Sequence, residues 1–393
     1  MLVTRIIGDC PSCLRPNSFG NVFIHGQILT RGCGYCNHKQ EFLLPRLHKK
    51  VIYLDQFFLS HAFRAEQPEF VEGVNRIGKL AHDQLLVSPI SSVHETETFQ
   101  WRHLKRDALW KFIKTTSRGH RFQPAYKVRV KQIVAAFVGY VERRPPVVTI
   151  DRSDVLEHKV DEWDDYFWWG LDIKPENIDQ VRASKEEARS GLVELFPIWI
   201  KSTKSFEEHQ AYEHRVIGEY YINAYLQKAR RIVSGDSMAV IDSPIDSAVV
   251  ETMINGMDPG IAFAARMSKI RSYFNSEHFA SVPYEYISTG LITALRAKVK
   301  DGAYQNLEKA KSRLGGFLYD SEFISAYAPY CDAMFIDSDM HNLVCTEQLG
   351  LERKYDTRFF SKNNWEDFLR YLGEIEQGKN EALTIALKLA YPE

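Results

Sequence analysis

Residues 49–55 read KKVIYLD, and residues 325–337 read SAYAPYCDAMFID. In each, a β-branched, apolar and aromatic run ends on an aspartate, Asp55 in the first and Asp337 in the second. Such runs predict buried strands, the first continuing over 49–59 and the second over 333–336. Between them the pattern changes. Residues 67–82 predict a helix and 85–90 a second strand. SSVHETETFQWRHLKRD, from Ser91 to Asp107, reads as helical. Helical periodicity then continues to about residue 315, as in 206–232 and 283–300, and a last helix covers 365–377. The order β, α, β, a long helical block, β, α predicts one α/β domain interrupted by an α-helical insertion.

In a parallel α/β sheet, groups just past the strand carboxyl ends meet in one crevice. Asp55 and Asp337 stand at such ends. Glu95 follows the second predicted strand, on the helix that Ser91 and Ser92 start, beside His94. Asp320 opens a helix, Asp332 precedes the strand AMFI, and Asp339 follows Asp337. Carboxylates that converge repel each other unless a cation sits among them, and hard oxygen ligands favour Mg²⁺ or Mn²⁺. Such ions activate water and neutralise a phosphodiester. Each acid alone also reads as a helix cap or a solvated side chain. The histidines His94 and His341 read as supporting or surface residues.

A second pattern lies at the start of the chain. Cys10-Pro-Ser-Cys13 is followed, after the segment 14–32, by Cys33-Gly-Tyr-Cys36. Two CxxC turns joined by an apolar hairpin predict a closed tetrahedral zinc site, structural because four thiolates leave no open position. The metal replaces a core that so short a segment cannot build. His25 and His38 read as surface residues. Cys331 and Cys345, in apolar surroundings, read as buried small residues.

Composition bounds the rest. The chain has 393 residues, 45% hydrophobic and 26% charged, which excludes collagen-like, purely coiled-coil and wholly disordered classes. A net charge of −1 excludes a globally basic nucleic-acid binder, so any basic surface is local. Residues 101–150 hold 12 Lys/Arg against 2 Asp/Glu, interleaved with Trp101, Trp110, Phe112, Phe122 and Tyr126; residues 151–180 hold 10 Asp/Glu against 3 Lys/Arg. The basic stretch reads either as a phosphate-binding surface with stacking platforms or as solvated helix faces over a buried aromatic face. The acidic stretch covers it or meets a partner. No run reaches a membrane span and no signal peptide is evident, so a cytoplasmic protein is expected. No GxGxxG, GxxxxGK[ST] or GxSxG motif is present, and Glu213-His214 lacks HExxH spacing.

These acids carry a resemblance. VIYLD with Asp55, SSVHE with Glu95, Asp320 opening a helix ahead of Asp337, and the block SAYAPYCDAMFID with Asp332 are together similar to the motifs of PIN-like metal-dependent nucleases. Arg358-Phe359-Phe360-Ser361 resembles the closing strand of that fold. The resemblance covers 50–95 and 316–377 and departs in the long insertion between those two stretches. It implies a three-layer α/β/α nuclease domain over 47–96 and 316–393, after a zinc ribbon over 1–46 and around a mainly helical insertion over 97–315. It implies Asp55, Glu95, Asp320 and Asp337 as ligands of a catalytic Mg²⁺ or Mn²⁺, with Asp332 as a further catalytic group. Zinc ribbon and nuclease together also resemble the ring-activated zinc-finger ribonucleases of bacterial antiphage defence. The function expected is an endoribonuclease restrained until a signal arrives, as a defence effector or toxin is. Its expected partners are RNA, a phage or host protein activator recognised by the ribbon or the insertion, and further copies in a homo-oligomer. A structure-specific DNA nuclease and a non-enzymatic zinc-ribbon adaptor are the alternatives.

Overall fold

A computed structural model of the chain describes residues 2–101, 103–149, 151–157, 159–166, 190–236, 238–241 and 245–392. Four short antiparallel strands come first: β1 (Arg5–Gly8), β2 (Phe19–His25), β3 (Ile28–Cys33) and β4 (Lys39–Leu43), paired in that order. β1 crosses close to Gly20, where a Cβ would lie 1.8 Å from the Arg5 carbonyl oxygen, so only glycine fits there.

The second sheet is built from β5 (Lys50–Leu54), β6 (Leu86–Val87), β7 (Ala333–Phe335) and β8 (Arg358–Phe360), in the order β6-β5-β7-β8 with every pair parallel. The strand predicted over 49–59 is shorter than expected. Asp55 turns the chain into the helix Gln56–Arg64 by accepting the Gln56 N–H at 2.5 Å, so QFFL becomes its first turn. β6 likewise covers only Leu86 and Val87 of the 85–90 run. Beyond it, Ile90, Arg121, Phe122 and Leu156 add isolated bridges.

The side chains of the sheet alternate between two cores, as a period of two demands. Ile52, Leu54, Ala333 and Phe335 pack with the helices Gln56–Arg64, Pro68–His82, His103–Ser117, Trp365–Gln377 and Glu381–Ala390. Pro68–His82 buries Phe70, Val74, Ile77 and Ala81, an apolar stripe of helical spacing, and comes so close that a Cβ on Gly73 would meet Trp365 at 2.9 Å. Val51, Tyr53, Met334 and Ile336 face the other way. They share one continuous core with the helices Ala125–Val141, Phe206–Val233, Pro283–Lys300 and Phe317–Tyr327. Most of the long helical stretch therefore forms the second helical layer of the sheet.

The acidic stretch folds back onto the basic one. Asp164 bonds Arg118 (2.8 Å) and His120 (3.1 Å), Glu157 faces Arg121 (3.9 Å), and Asp154 pairs with Lys131 (3.3 Å). Arg118, Arg121 and Lys131 are thus used internally, and Trp110 and Phe122 are core residues, whereas Tyr126 is exposed. From residue 167 on, the acidic stretch lies outside the described residues. Cys331 is buried as expected, but Cys345 is exposed: it caps the helix Ser338–Val344 just past its buried face.

Candidate metal centres and the acidic crevice

The four cysteines meet at one point. Their sulfurs all lie within 4.8 Å of one another, with Cys10–Cys36 and Cys13–Cys33 both at 3.7 Å. A zinc ion with Zn–S bonds of about 2.3 Å requires tetrahedral edges of roughly 3.8 Å, so the sulfurs fit a closed zinc site. Two backbone donors aim at the cluster, Tyr35 N–H to Cys33 Sγ at 3.3 Å and Cys13 N–H to Cys10 Sγ at 3.5 Å. Against the cost of burial, the Tyr35 bond favours the Cys33 thiolate over its thiol. The module docks by capping a helix. Asn21 Nδ2 donates to the carbonyls of Leu389 and Ala390, both at 3.0 Å, and Arg31 Nη2 donates to Leu389 at 3.0 Å. These are terminal carbonyls of Glu381–Ala390, which lack partners inside the helix.

The second site is at the carboxyl edge of the parallel sheet. From β5 the chain passes to β6 on one side, then crosses to β7 on the other. The edge between β5 and β7 is thus a topological switch point, where open α/β sheets leave a crevice. Asp55 and Asp337 follow those two strands. Asp55 is buried and its amide donates to the Phe335 carbonyl at 3.0 Å. Asp337 caps the helix Ser338–Val344, its Oδ1 accepting the amides of Asp339 (2.7 Å) and Met340 (2.9 Å). Burial, then the charges of Glu97 and Asp337, push the Asp55 carboxyl well above the ordinary carboxylate range. Burial also raises Asp337, and the charge of Asp339 adds to this, against its two amide donors and Arg313.

The other expected acids are distributed differently. Glu95 is buried on Ser92–Thr98 and faces Arg121, with Oε2 at 3.6 Å from Nη1. Its neighbour Glu97, half-buried, is the glutamate whose charge acts on Asp55. Two contacts set this helix's rotation. His94 Nε2 donates to the Leu54 carbonyl at 2.7 Å while its Nδ1 accepts the Ser91 amide at 2.9 Å, and Gln56 Nε2 donates to Thr98 Oγ1 at 3.0 Å. His94 and Thr98 form the ridge against the end of β5, and the two glutamates flank it on opposite sides. Burial lowers His94 to about 4, so it is a neutral buttress. Asp320, half-buried, stands in the first turn of Phe317–Tyr327 rather than capping it; the cap is Gly316, where a Cβ would lie 2.8 Å from Asp320 Oδ2.

Asp332 is at the opposite end of the sheet. It precedes β7, accepts the Val51 amide at 2.8 Å and pairs with Lys50 (2.9 Å) and Arg152. These donors hold its carboxyl below the usual range despite burial. A residue at the amino edge of β7 does not share a crevice with Asp337 at its carboxyl edge, so the structure does not bring Asp332 to the acidic site.

Among the described residues, the cysteines are the only group of three or more His, Cys, Asp or Glu whose ligand atoms all lie within 4.8 Å. The acids are more widely spaced than the direct ligands of one compact site. Mg²⁺ tolerates this, because it keeps several waters and takes one or two carboxylates. Among the described residues no helix is long and apolar enough to cross a membrane. Compared with models of known protein families, with curated proteins and with solved structures, the chain matches none.

Proposed function

We propose that this protein is a divalent-metal-dependent endoribonuclease of the PIN-like type, restrained until a partner or an assembly releases it, as in an antiphage effector or toxin. One observation carries the reading: Asp55 and Asp337, on either side of the helical insertion in sequence, flank the switch point of a parallel sheet, and the charge of Glu97 acts on Asp55. Folded chains keep mutually repelling, partly desolvated carboxylates chiefly where a cation or chemistry uses them. Asp55, Glu97 and Asp337 would hold Mg²⁺ or Mn²⁺, with Asp320 as an outer group, and Glu97 takes the place that the sequence pattern assigns to Glu95. When bound, the ion lowers the pKa of a water and neutralises charge on the phosphodiester. The chain's own part is to fix the acids. The cap bonds hold the two aspartates, and neutral His94 ties the helix of Glu97 to the end of β5.

The test is cleavage of end-labelled single-stranded RNA and DNA by wild type, Asp55→Asn and Asp337→Asn in Mg²⁺, Mn²⁺ and EDTA. RNA cleavage that needs the metal and vanishes in both variants is the expected result. Cleavage of DNA alone would favour the structure-specific DNA nuclease. Silence in every condition, with candidate partners present, would leave the zinc-ribbon adaptor.

A further inference from the structure

A cleft of about 790 Å³ opens where the zinc module meets the body of the protein. Its walls are Arg5 from β1, His82 and Asp83 at the end of Pro68–His82, Lys379 ahead of the final helix, and Thr384, Lys388 and Tyr391 on or just past that helix. That volume suits a small organic ligand.

The chemistry of the walls is divided. Among the described residues Asp83 is the only carboxylate in the lining, and it is already engaged, by Lys379 at 2.7 Å and by His82 at 3.7 Å. Arg5 donates to the Pro392 carbonyl at 3.3 Å, a neutral partner. Among the described residues, neither Arg5 nor Lys388 has a carboxylate within ion-pair distance. Among the described residues the cleft thus keeps two cations without a carboxylate partner, one on the zinc module and one on the body. Its other side carries the Tyr391 ring, 5.8 Å from the His82 ring and backed by Tyr166 and Trp163, which do not line the cleft. A second hydroxyl, Thr384, stands near the cationic side.

We infer that this cleft binds a nucleoside phosphate, its phosphates between Arg5 and Lys388 and its base against Tyr391. Cations on two elements far apart in sequence, β1 and the final helix, fit an anion that bridges them. The Tyr391 ring beside them fits the π-face of a base. The ligand is either a free nucleotide or the phosphorylated end of an oligonucleotide. Because it touches both parts, it would reinforce the docking that Asn21 and Arg31 begin. The inference does not depend on the acidic crevice or on nuclease activity.

The test is isothermal titration of the full, zinc-loaded chain with ADP, adenosine, pyrophosphate and a 5′-phosphorylated oligonucleotide, all without divalent metal. ADP or the oligonucleotide should saturate one site per chain, the tighter of the two naming the source. Adenosine and pyrophosphate should each bind at least tenfold more weakly than ADP. Lys388→Glu, an exposed change on a side chain with no bonded partner among the described residues, should weaken binding at least tenfold with the fold intact by circular dichroism. Absence of saturable binding would overturn the inference. So would binding that Lys388→Glu leaves unchanged, or binding lost instead in Asp55→Asn, which would put the ligand in the crevice.

Discussion

Asp164 accepts from four side chains, and replacing it separates two accounts of what binds the acidic stretch to the sheet. Its Oδ1 takes Lys49 Nζ at 2.6 Å and His120 Nε2 at 3.1 Å; its Oδ2 takes Arg118 at 2.8 Å and Gln84 Nε2 at 3.1 Å. The Lys49 side chain is 0% exposed, one residue ahead of β5. Asp164→Asn conserves shape and removes the charge, which leaves a fully buried ammonium without its ion-pair partner. Breaking a buried pair from one side costs about 3–5 kcal/mol. Lys49→Met is gentler, since Asp164 retains Arg118 and His120; the loss of one charged hydrogen bond amounts to about 1.5–3 kcal/mol. In the double variant the fully buried ammonium is gone and only Arg118 and His120 lose their carboxylate, so it should be more stable than Asp164→Asn alone by roughly 1–2 kcal/mol. Urea unfolding followed by tryptophan fluorescence measures all three, with Trp163 adjacent as a local reporter. If Asp164→Asn falls within about 1 kcal/mol of wild type, or if adding Lys49→Met fails to rescue it, the network is screened by water and the reasoning is wrong.

The same node predicts acid sensitivity: burial alone would raise Asp164, but the His120 bond and the Lys49 and Arg118 charges hold it well below the usual carboxylate range, so its stabilisation is complete above pH ~4 and lost as the pH falls further, a dependence that Asp164→Asn should remove. Asp55 has the opposite sign. Its carboxyl is raised, so without divalent metal its contribution to stability declines as the pH rises above about 4, and Asp55→Asn should abolish that decline, as read from melting temperature against pH. Glu97→Gln should lower metal-dependent cleavage by about 100-fold or more, whereas Glu95→Gln should act mainly on stability by releasing Arg121; equal kinetic losses would refute the assignment. Elemental analysis should find one zinc per chain, and Cys33→Ser should lose it and unfold the N-terminal sheet, since structural zinc supplies about 10–16 kcal/mol of binding energy to such modules.

Much of the frame is legible in the sequence. Two CxxC pairs at hairpin separation specify a tetrahedral sulfur cluster through local geometry alone, and the sulfurs converge as that spacing requires. The helices 283–300 and 365–377 are readable because apolar spacing and an initial Pro283 or Trp365 mark them locally. The strand predicted over 49–59 is too long because QFFL is as apolar as KVIYL, and only the cap bond from Asp55 to Gln56 distinguishes them. That bond depends on the Asp55 backbone being fixed by its amide bond to Phe335, a contact from the far side of the helical insertion.

The positions of the acids follow a related rule. An aspartate beside an apolar strand has equal local pattern at either end, yet in a parallel sheet the two ends are different environments. Asp332, before β7, meets the Val51 amide and the cations Lys50 and Arg152; Asp337, after it, meets amides at a helix start and other acids. Direction along the strand decides the chemistry, and it becomes visible only when β5 and β7 are known to be parallel. Glu95 and Glu97 pose the same problem on a helix. Both are acids close behind Ser91, and the choice between them depends on the His94–Leu54 and Thr98–Gln56 bonds that fix its rotation. The residue that places Glu97 is therefore His94, whose position in SSVHE is itself a sequence signal: a histidine at the third helical position after a serine cap can close the cap from the side chain, as it does here. Once that ring is committed to the cap and to Leu54, the helix has a single rotation that keeps both bonds, and in that rotation Glu95 meets Arg121 while Glu97 acts on Asp55.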